Sequence, residues 1–310
     1  MERKDKVRSR GQYVLGYGAC ALAGCLWGTG FYFGKIALAE MGVGHMVLYR
    51  FLFACLALLP LILRHPATFN LREWRWLLIA SFMGVPVQFL LQFYGLKLTT
   101  VSHAALMVGT MPVILAVGAA LFTHERLDRL GWVALLASTT GVSLIVLGGH
   151  HASAGGGPSL LGDMLVVLSL VVALGWILLN QRLMHGHTPI VVTAYGVMAG
   201  AAMLVLFVVP ISGLPPIRGI SLTVWLALAA SGVLCTATTT LLWNWGIHRV
   251  PASRAGVFLN IEPAMGSLLG VKLLGDHLGP FAWVGGGLIV AAAVTLTTRG
   301  PATEGLPILE

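Results

Sequence analysis

Ten stretches of about 20 apolar residues, separated by short clusters of charge, Gly and Pro, dominate this chain and limit what it can fold into. They fall at about 14–38, 43–63, 74–96, 102–122, 129–148, 160–183, 189–211, 222–247, 253–274 and 280–298. A run of roughly 18 or more apolar residues spans the ~30 Å hydrocarbon core of a bilayer as one helix. Inside lipid the backbone must satisfy its own hydrogen bonds, which a lone segment does only as a helix. Of the 310 residues, 57% are hydrophobic and only 10% charged, too few charges to cover a water-soluble surface. The expected fold is an all-α membrane protein of ten transmembrane helices. The basic start, Met1 to Arg10, followed by an apolar run from Tyr13, resembles a secretory signal. That run is too long for a signal core, so it is read as a retained first helix.

The formal net charge of +8 does not point to nucleic acid, because the charges sit between the apolar runs rather than in a patch with aromatic interleaving. Cys20, Cys25, Cys55 and Cys235 lie inside apolar runs. They read as small packing residues, not as a disulfide framework or a metal site.

The basic residues set an orientation. With the N-terminus cytoplasmic, that side holds Arg3, Lys4, Lys6, Arg8, Arg10, Arg64, Arg72, Arg75, Arg126, Arg129, Arg182, Arg249, Arg254 and Arg299. The opposite side holds Lys35, Lys97, Arg218 and Lys272, with Arg50 inside the second span. Basic loops stay cytoplasmic on insertion, so both termini are expected in the cytoplasm and the chain in the inner membrane.

The longest connection, Gly148 to Ser159, is Gly-rich and falls near the middle. It divides the chain into 1–150 and 151–310, and a shift of 151 residues aligns the two parts without a gap. Trp74, Gly95, Ser102, Pro112 and Trp132 fall on Trp225, Gly246, Ser253, Pro263 and Trp283, and Glu125 on Asp276. Each repeat then has five spans, and an odd number turns the second copy over in the membrane. Two inverted five-helix repeats are a common build of alternating-access carriers, with the substrate near the midplane between them.

The same positions carry a family likeness. Trp27-Gly28, Arg50 in the second span, the Pro112 helix ending in Glu125-Arg126, Glu262-Pro263 and Asp276 together resemble the drug/metabolite transporter superfamily in its EamA-type ten-helix branch. Asp276 departs from the commoner pattern, which has an acid with a longer stem. The resemblance implies a carrier whose central cavity is lined by helices 1, 3, 4, 6, 8 and 9. Members move amino acids, other small metabolites or drugs, often outward, and the aromatic amino-acid exporters are among them. No motif picks that subgroup out.

Polar side chains within a span are costly and face a bundle interior or water. Trp27 and Phe31 share one face of span 1 with Lys35, for which snorkelling to the outer interface is the expectation. Gln88 and Gln92 lie one turn apart on span 3. Thr236, Thr240 and Asn244 form a stripe on span 8 beside Trp243, and Trp176 and Asn180 share a face of span 6. His103, Met107 and Met111 on span 4, and Phe258 and Asn260 on span 9, could line a cavity or simply pack. Trp27, Phe31, Gln88, Gln92, Trp176, Asn180, Trp243, Asn244 and Asn260 are the candidate substrate-binding residues. Glu262 is the one acid deep within a span. It reads either as a proton-coupling carboxylate or as a structural acid beside Pro263 or paired with Arg50. Arg50 reads either as an anchor for a substrate carboxylate or as a partner for the bundle, with pairing or snorkelling the expectation; Pro112 and Pro263 are expected to be structural.

An apolar pocket with a few directed polar groups suits small zwitterions with apolar side chains. The expected function is a secondary transporter exporting amino acids, with multidrug or lipophilic-cation export as the alternative. A membrane-embedded enzyme would need a nucleophile with His, paired acids in two helices, or a metal cluster. The sequence has no G-x-S-x-G or H-E-x-x-H, and no Walker A loop for ATP. No cofactor or metal is expected. The expected partners are a small-molecule substrate and the lipid bilayer, with oligomeric state left open.

Overall fold

The structure is a computed structural model that describes residues 10–111, 113–114, 118, 129–149, 159–184, 186–247, 258–259 and 261–299. The described residues are helical, with no strand among them. In chain order the helices are α1 (Arg10–Leu38), α2 (Val43–Arg64), α3 (Leu71–Leu98), α4 (Val101–Val108) and α5 (Arg129–Gly149). They continue with α6 (Leu160–Met184), α7 (Pro189–Ser212), α8 (Leu222–Gly246), α9 (Ile261–Leu274) and α10 (Pro280–Arg299). Six of these, α1, α2, α3, α6, α7 and α8, are long and apolar enough to cross a membrane. Large apolar side chains such as Leu56, Leu63, Leu161, Leu206 and Ile211 point outward and are exposed, as expected for a surface solvated by lipid. Pro112 and Asn260 lie outside the described residues.

Local chemistry sets the helix starts. Asn70 begins α3 with a capping box: its Oδ1 accepts from the Glu73 backbone N–H at 2.9 Å, and Glu73 Oε2 accepts from the Asn70 N–H at 2.7 Å. Thr100, Thr188 and Ser221 cap α4, α7 and α8 in the same way with a side-chain oxygen, each satisfying an N–H that the helix cannot.

Lipid is as apolar as leucine, so helices associate here through close contact rather than through hydrophobic burial. Gly95 on α3 meets Gly162 on α6; a Cβ on Gly95 would lie 2.7 Å from the Gly162 carbonyl oxygen, and one on Gly162 2.9 Å from that of Gly95. Gly246 on α8 meets α1 similarly, with a Cβ there 3.0 Å from the Gly16 carbonyl oxygen.

The contacts come in corresponding pairs. Helix α1 packs along α8 as α6 packs along α3, and α2 packs on α8 as α7 packs on α3. Helix α2 also faces α7, α4 faces α9, and α5 faces α10. Helices α3 and α8 each widen into one π turn, at Met83–Val87 and Val233–Thr238. Residues 83–87 fall on 234–238 under the 151-residue shift. Pro86, which has no N–H to donate, sits in the first π turn. In the second, the Thr236 hydroxyl donates to the Ser231 carbonyl at 3.1 Å and Thr239 bonds the Leu234 carbonyl, which takes up carbonyls the widened turn leaves free.

One end of the bundle is tied by polar side chains. Lys35 Nζ donates to the Leu96 and Thr99 carbonyls at 3.0 and 2.7 Å. Thr99 Oγ1 donates to Asp163 Oδ1 at 2.6 Å, and His103 Nδ1 lies 3.4 Å from Asp163 Oδ2. Asp276 Oδ2 accepts the Ser102 N–H at 2.8 Å, Glu40 Oε2 that of Ser221 at 2.7 Å, and Tyr49 donates to the Pro216 carbonyl at 2.9 Å. Two expectations change here. Lys35 does not snorkel; it caps the last turn of α3, where free carbonyls offer a cation partners that lipid lacks. Glu262 is not the only acid taken inside: Asp163 is 1% exposed, tolerated because Thr99 and His103 meet it.

The opposite end is held by Glu73 against His187 at 3.3 Å, by Arg182 over the Trp76 ring at 5.1 Å, and by Phe69 among Trp74, His187 and Tyr195.

Candidate functional site

Between the two ends the helices enclose a cavity of about 270 Å³. Helix α1 contributes Trp27, Gly30 and Phe31; α3 contributes Gly84, Gln88 and Gln92; α6 contributes Trp176 and Asn180; α8 contributes Cys235, Thr236, Thr240, Trp243 and Asn244. Arg50 of α2, Thr193 of α7, Met111 and Glu262 complete the polar and thioether groups. The lining runs to Met184 and Val192 beside the α6–α7 turn, and so away from the end tied by Asp163, Lys35 and Asp276.

Helical spacing places these side chains. Trp27 and Phe31, Gln88 and Gln92, Trp176 and Asn180, and Thr236, Thr240 and Asn244 each recur one turn apart, on the face their helix turns to the bundle interior. Every described residue expected to bind substrate lines the cavity: Trp27, Phe31, Gln88, Gln92, Trp176, Asn180, Trp243 and Asn244. The wall is mostly apolar and carries several aromatic rings. Trp27 and Trp243 pack with ring centroids 5.5 Å apart, and Phe89 stacks with Phe93 at 6.2 Å. The Trp176 indole lies so tightly over Gly84 that no Cβ fits there. The polar groups are partly fixed: Asn244 Nδ2 donates to Thr193 Oγ1 at 2.6 Å.

Arg50 pairs within the bundle rather than reaching for the interface. It is 3% exposed and does not snorkel. Its Nε donates to Thr236 Oγ1 at 2.8 Å and one terminal nitrogen to the Cys235 carbonyl at 3.2 Å, while its guanidinium carbon lies 4.9 and 5.3 Å from the Phe89 and Phe93 ring centres. The π turn of α8 supplies both oxygens, so the irregularity in the helix is what holds the cation in place. Glu262 lies in the first turn of α9, next to the buried Pro263. It makes no ion pair with Arg50, nor any hydrogen bond among the described residues.

Other candidates go elsewhere. His103 faces Asp163, Met107 is core, and Phe258 packs on Tyr17 and Cys20; among the described residues of that set, Met111 alone reaches the cavity. Sequence reasoning passed over Phe89, Phe93 and Thr193. The rings sit next to Gln88 and Gln92, and an Arg inside a span calls for aromatic or oxygen neighbours; that was the available signal. Thr193 had none beyond being a hydroxyl in an apolar run. Among the described residues no cluster of metal-binding side chains occurs.

The profile of the EamA-like transporter family matches residues 14–147 and again 160–298, so the one pattern occurs twice. An uncharacterized transporter of Archaeoglobus fulgidus is 26% identical over 280 residues, covering 90% of this chain and 95% of its own length. A protein of Streptantibioticus cattleyicolor named a probable terminal-alkyne amino-acid exporter is 25% identical over 289 residues, covering 91% of this chain and 93% of its own. A solved crystal structure superposes with a TM-score of 0.64 at 19% identity, covering 94% of this chain and 99% of that one, a likeness of fold.

Proposed function

This chain belongs to the EamA-like transporter family, and from that premise we propose that it is a secondary carrier exporting amino acids with apolar side chains by alternating access. That it is a multi-pass membrane transporter follows from the family. The substrate reading rests chiefly on one observation: a cavity walled by Trp27, Phe31, Trp176 and Trp243 that also presents Gln88, Gln92, Asn180 and Asn244. Aromatic faces accept varied apolar side chains, and a few fixed donors and acceptors orient a polar head. A sugar phosphate would require several cations, whereas Arg50 is the sole cation among the described lining residues. The relative named an amino-acid exporter supports the same direction.

Ten spans in two inverted repeats are part of the proposal. Supporting them are the doubled family match, the corresponding helix contacts and the two π turns at related positions. The basic asymmetry supports an inner-membrane orientation with both termini in the cytoplasm. In that orientation the tied end faces outward and the cavity extends toward the cytoplasm.

Overexpression should raise tolerance to toxic amino-acid analogues, and Trp176→Ala should reduce that protection at equal protein level. Protection against lipophilic cations, but against no analogue, would transfer the cavity to the drug-export reading, which the single carboxylate Glu262 favours.

A further inference from the structure

The cavity holds a base and an acid, Arg50 and Glu262, that form no ion pair with each other. The Arg50 guanidinium spends Nε on Thr236 and one terminal nitrogen on the Cys235 carbonyl. Its other terminal nitrogen, Nη1, makes no hydrogen bond among the described residues. Gly30 lies beside it without a side chain; a Cβ there would come 3.6 Å from Nη1 and cover it. The Phe89 and Phe93 rings flank the guanidinium. The Glu262 carboxylate has neither an ion pair nor a hydrogen bond among the described residues. The side-chain oxygen of Gln88, which also lines the cavity, is buried without a donor.

An ionisable group or acceptor without a hydrogen-bonding partner is costly in an apolar enclosure. A ligand with one charge would satisfy one group and leave the other exposed to the same penalty. A neutral ligand with two opposite poles satisfies both.

We propose that Arg50 binds the carboxylate, and Glu262 the ammonium group, of an α-amino acid whose side chain lies among Trp27, Trp176 and Trp243. This rests on the amino-acid reading above and adds the two residues that would select a zwitterion over an amine or an acid of the same shape. The Gln88 oxygen is a second acceptor for the ammonium protons, and Nη1 of Arg50 is the free donor for the carboxylate. Thr236 and Cys235 act through Arg50, by positioning it.

The test is calorimetric binding in lipid nanodiscs with three ligands that share one ring: L-phenylalanine, phenethylamine and 3-phenylpropanoate. A charge-assisted hydrogen bond is worth about 1.5–3 kcal/mol, or about tenfold in affinity or more. Phenylalanine should bind about tenfold tighter than either one-pole ligand. Glu262→Gln should weaken phenylalanine and phenethylamine about tenfold and leave 3-phenylpropanoate within about twofold; Arg50→Gln should do the converse. Arg50 also ties α2 to α8, so if that variant yields no folded protein, the wild-type series and Glu262→Gln decide. Phenylalanine binding that Glu262→Gln leaves unchanged, or that is no tighter than phenethylamine, would overturn the two-pole site while leaving an amino-acid carrier standing. Binding of phenethylamine but not of phenylalanine would overturn both.

Discussion

Gly84 fixes the shape of one cavity wall, because the Trp176 indole occupies the place a side chain would take. Gly84→Ala should push that ring into the cavity and cost about 1–3 kcal/mol by overpacking, read as a lower melting temperature together with weaker substrate binding. Glu262 has a separate consequence. If it exchanges a proton with the substrate's cationic pole, Glu262→Gln should abolish the dependence of transport on a pH gradient while leaving protein in the membrane. Lost folding yield instead would assign it a structural role, and unchanged transport, coupling and stability together would remove both. Helical spacing made much of this site legible: Trp27 with Phe31, Gln88 with Gln92, and Trp176 with Asn180 each announce a shared face. What spacing does not carry is where a long cation ends. Arg50 and Lys35 both sit towards the ends of apolar runs, yet one turns inward to a π turn of α8 and the other to the end of α3. Those partners lie far along the chain.

Among the elements, α3 and α8 bear the irregular geometry and α6 brings the polar tie. The two π turns adjoin the cavity, and neither is visible in the apolar pattern, since one extra residue in a turn leaves hydropathy unchanged. Pro86 was the single local hint, and α8 has no Pro in its turn. Asp163 and Asp276 come from the second half of the chain and clamp the α3–α4 turn of the first half. An outward opening of this end would separate them. Asp163→Asn removes the charge that Thr99 and His103 meet, which is worth about 1.5–3 kcal/mol. A cysteine at Thr100, in a background without the four native cysteines, should then react about tenfold faster or more with a membrane-impermeant maleimide. Equal rates would show that the clamp does not hold this end shut. Closer packing is equally testable: Gly162→Leu should separate α6 from α3, where even a methyl group would meet a carbonyl.

At the scale of the whole molecule, the apolar runs carried the order of the helices, because in lipid helix length is set by physics that acts on sequence alone. The proposed five-plus-five division rests on pairs such as Trp74 with Trp225 and Pro112 with Pro263. The course of the chain through Pro112, Asn260 and the Gly-rich middle lies outside the described residues. Reporter fusions at Gly155 and at Glu310 should land on opposite sides of the membrane, with Glu310 in the cytoplasm. Fusions on one side would break the inverted repeat. The central claim, an amino-acid carrier, is tested most directly by counterflow of radiolabelled amino acids in proteoliposomes, with and without a pH gradient. Labelled phenylalanine or leucine should accumulate against its unlabelled counterpart, and Trp176→Ala should slow that exchange about tenfold, the loss of one buried aromatic contact of about 1.5 kcal/mol. No exchange of any amino acid, with uptake of a lipophilic cation by the same vesicles, would contradict it.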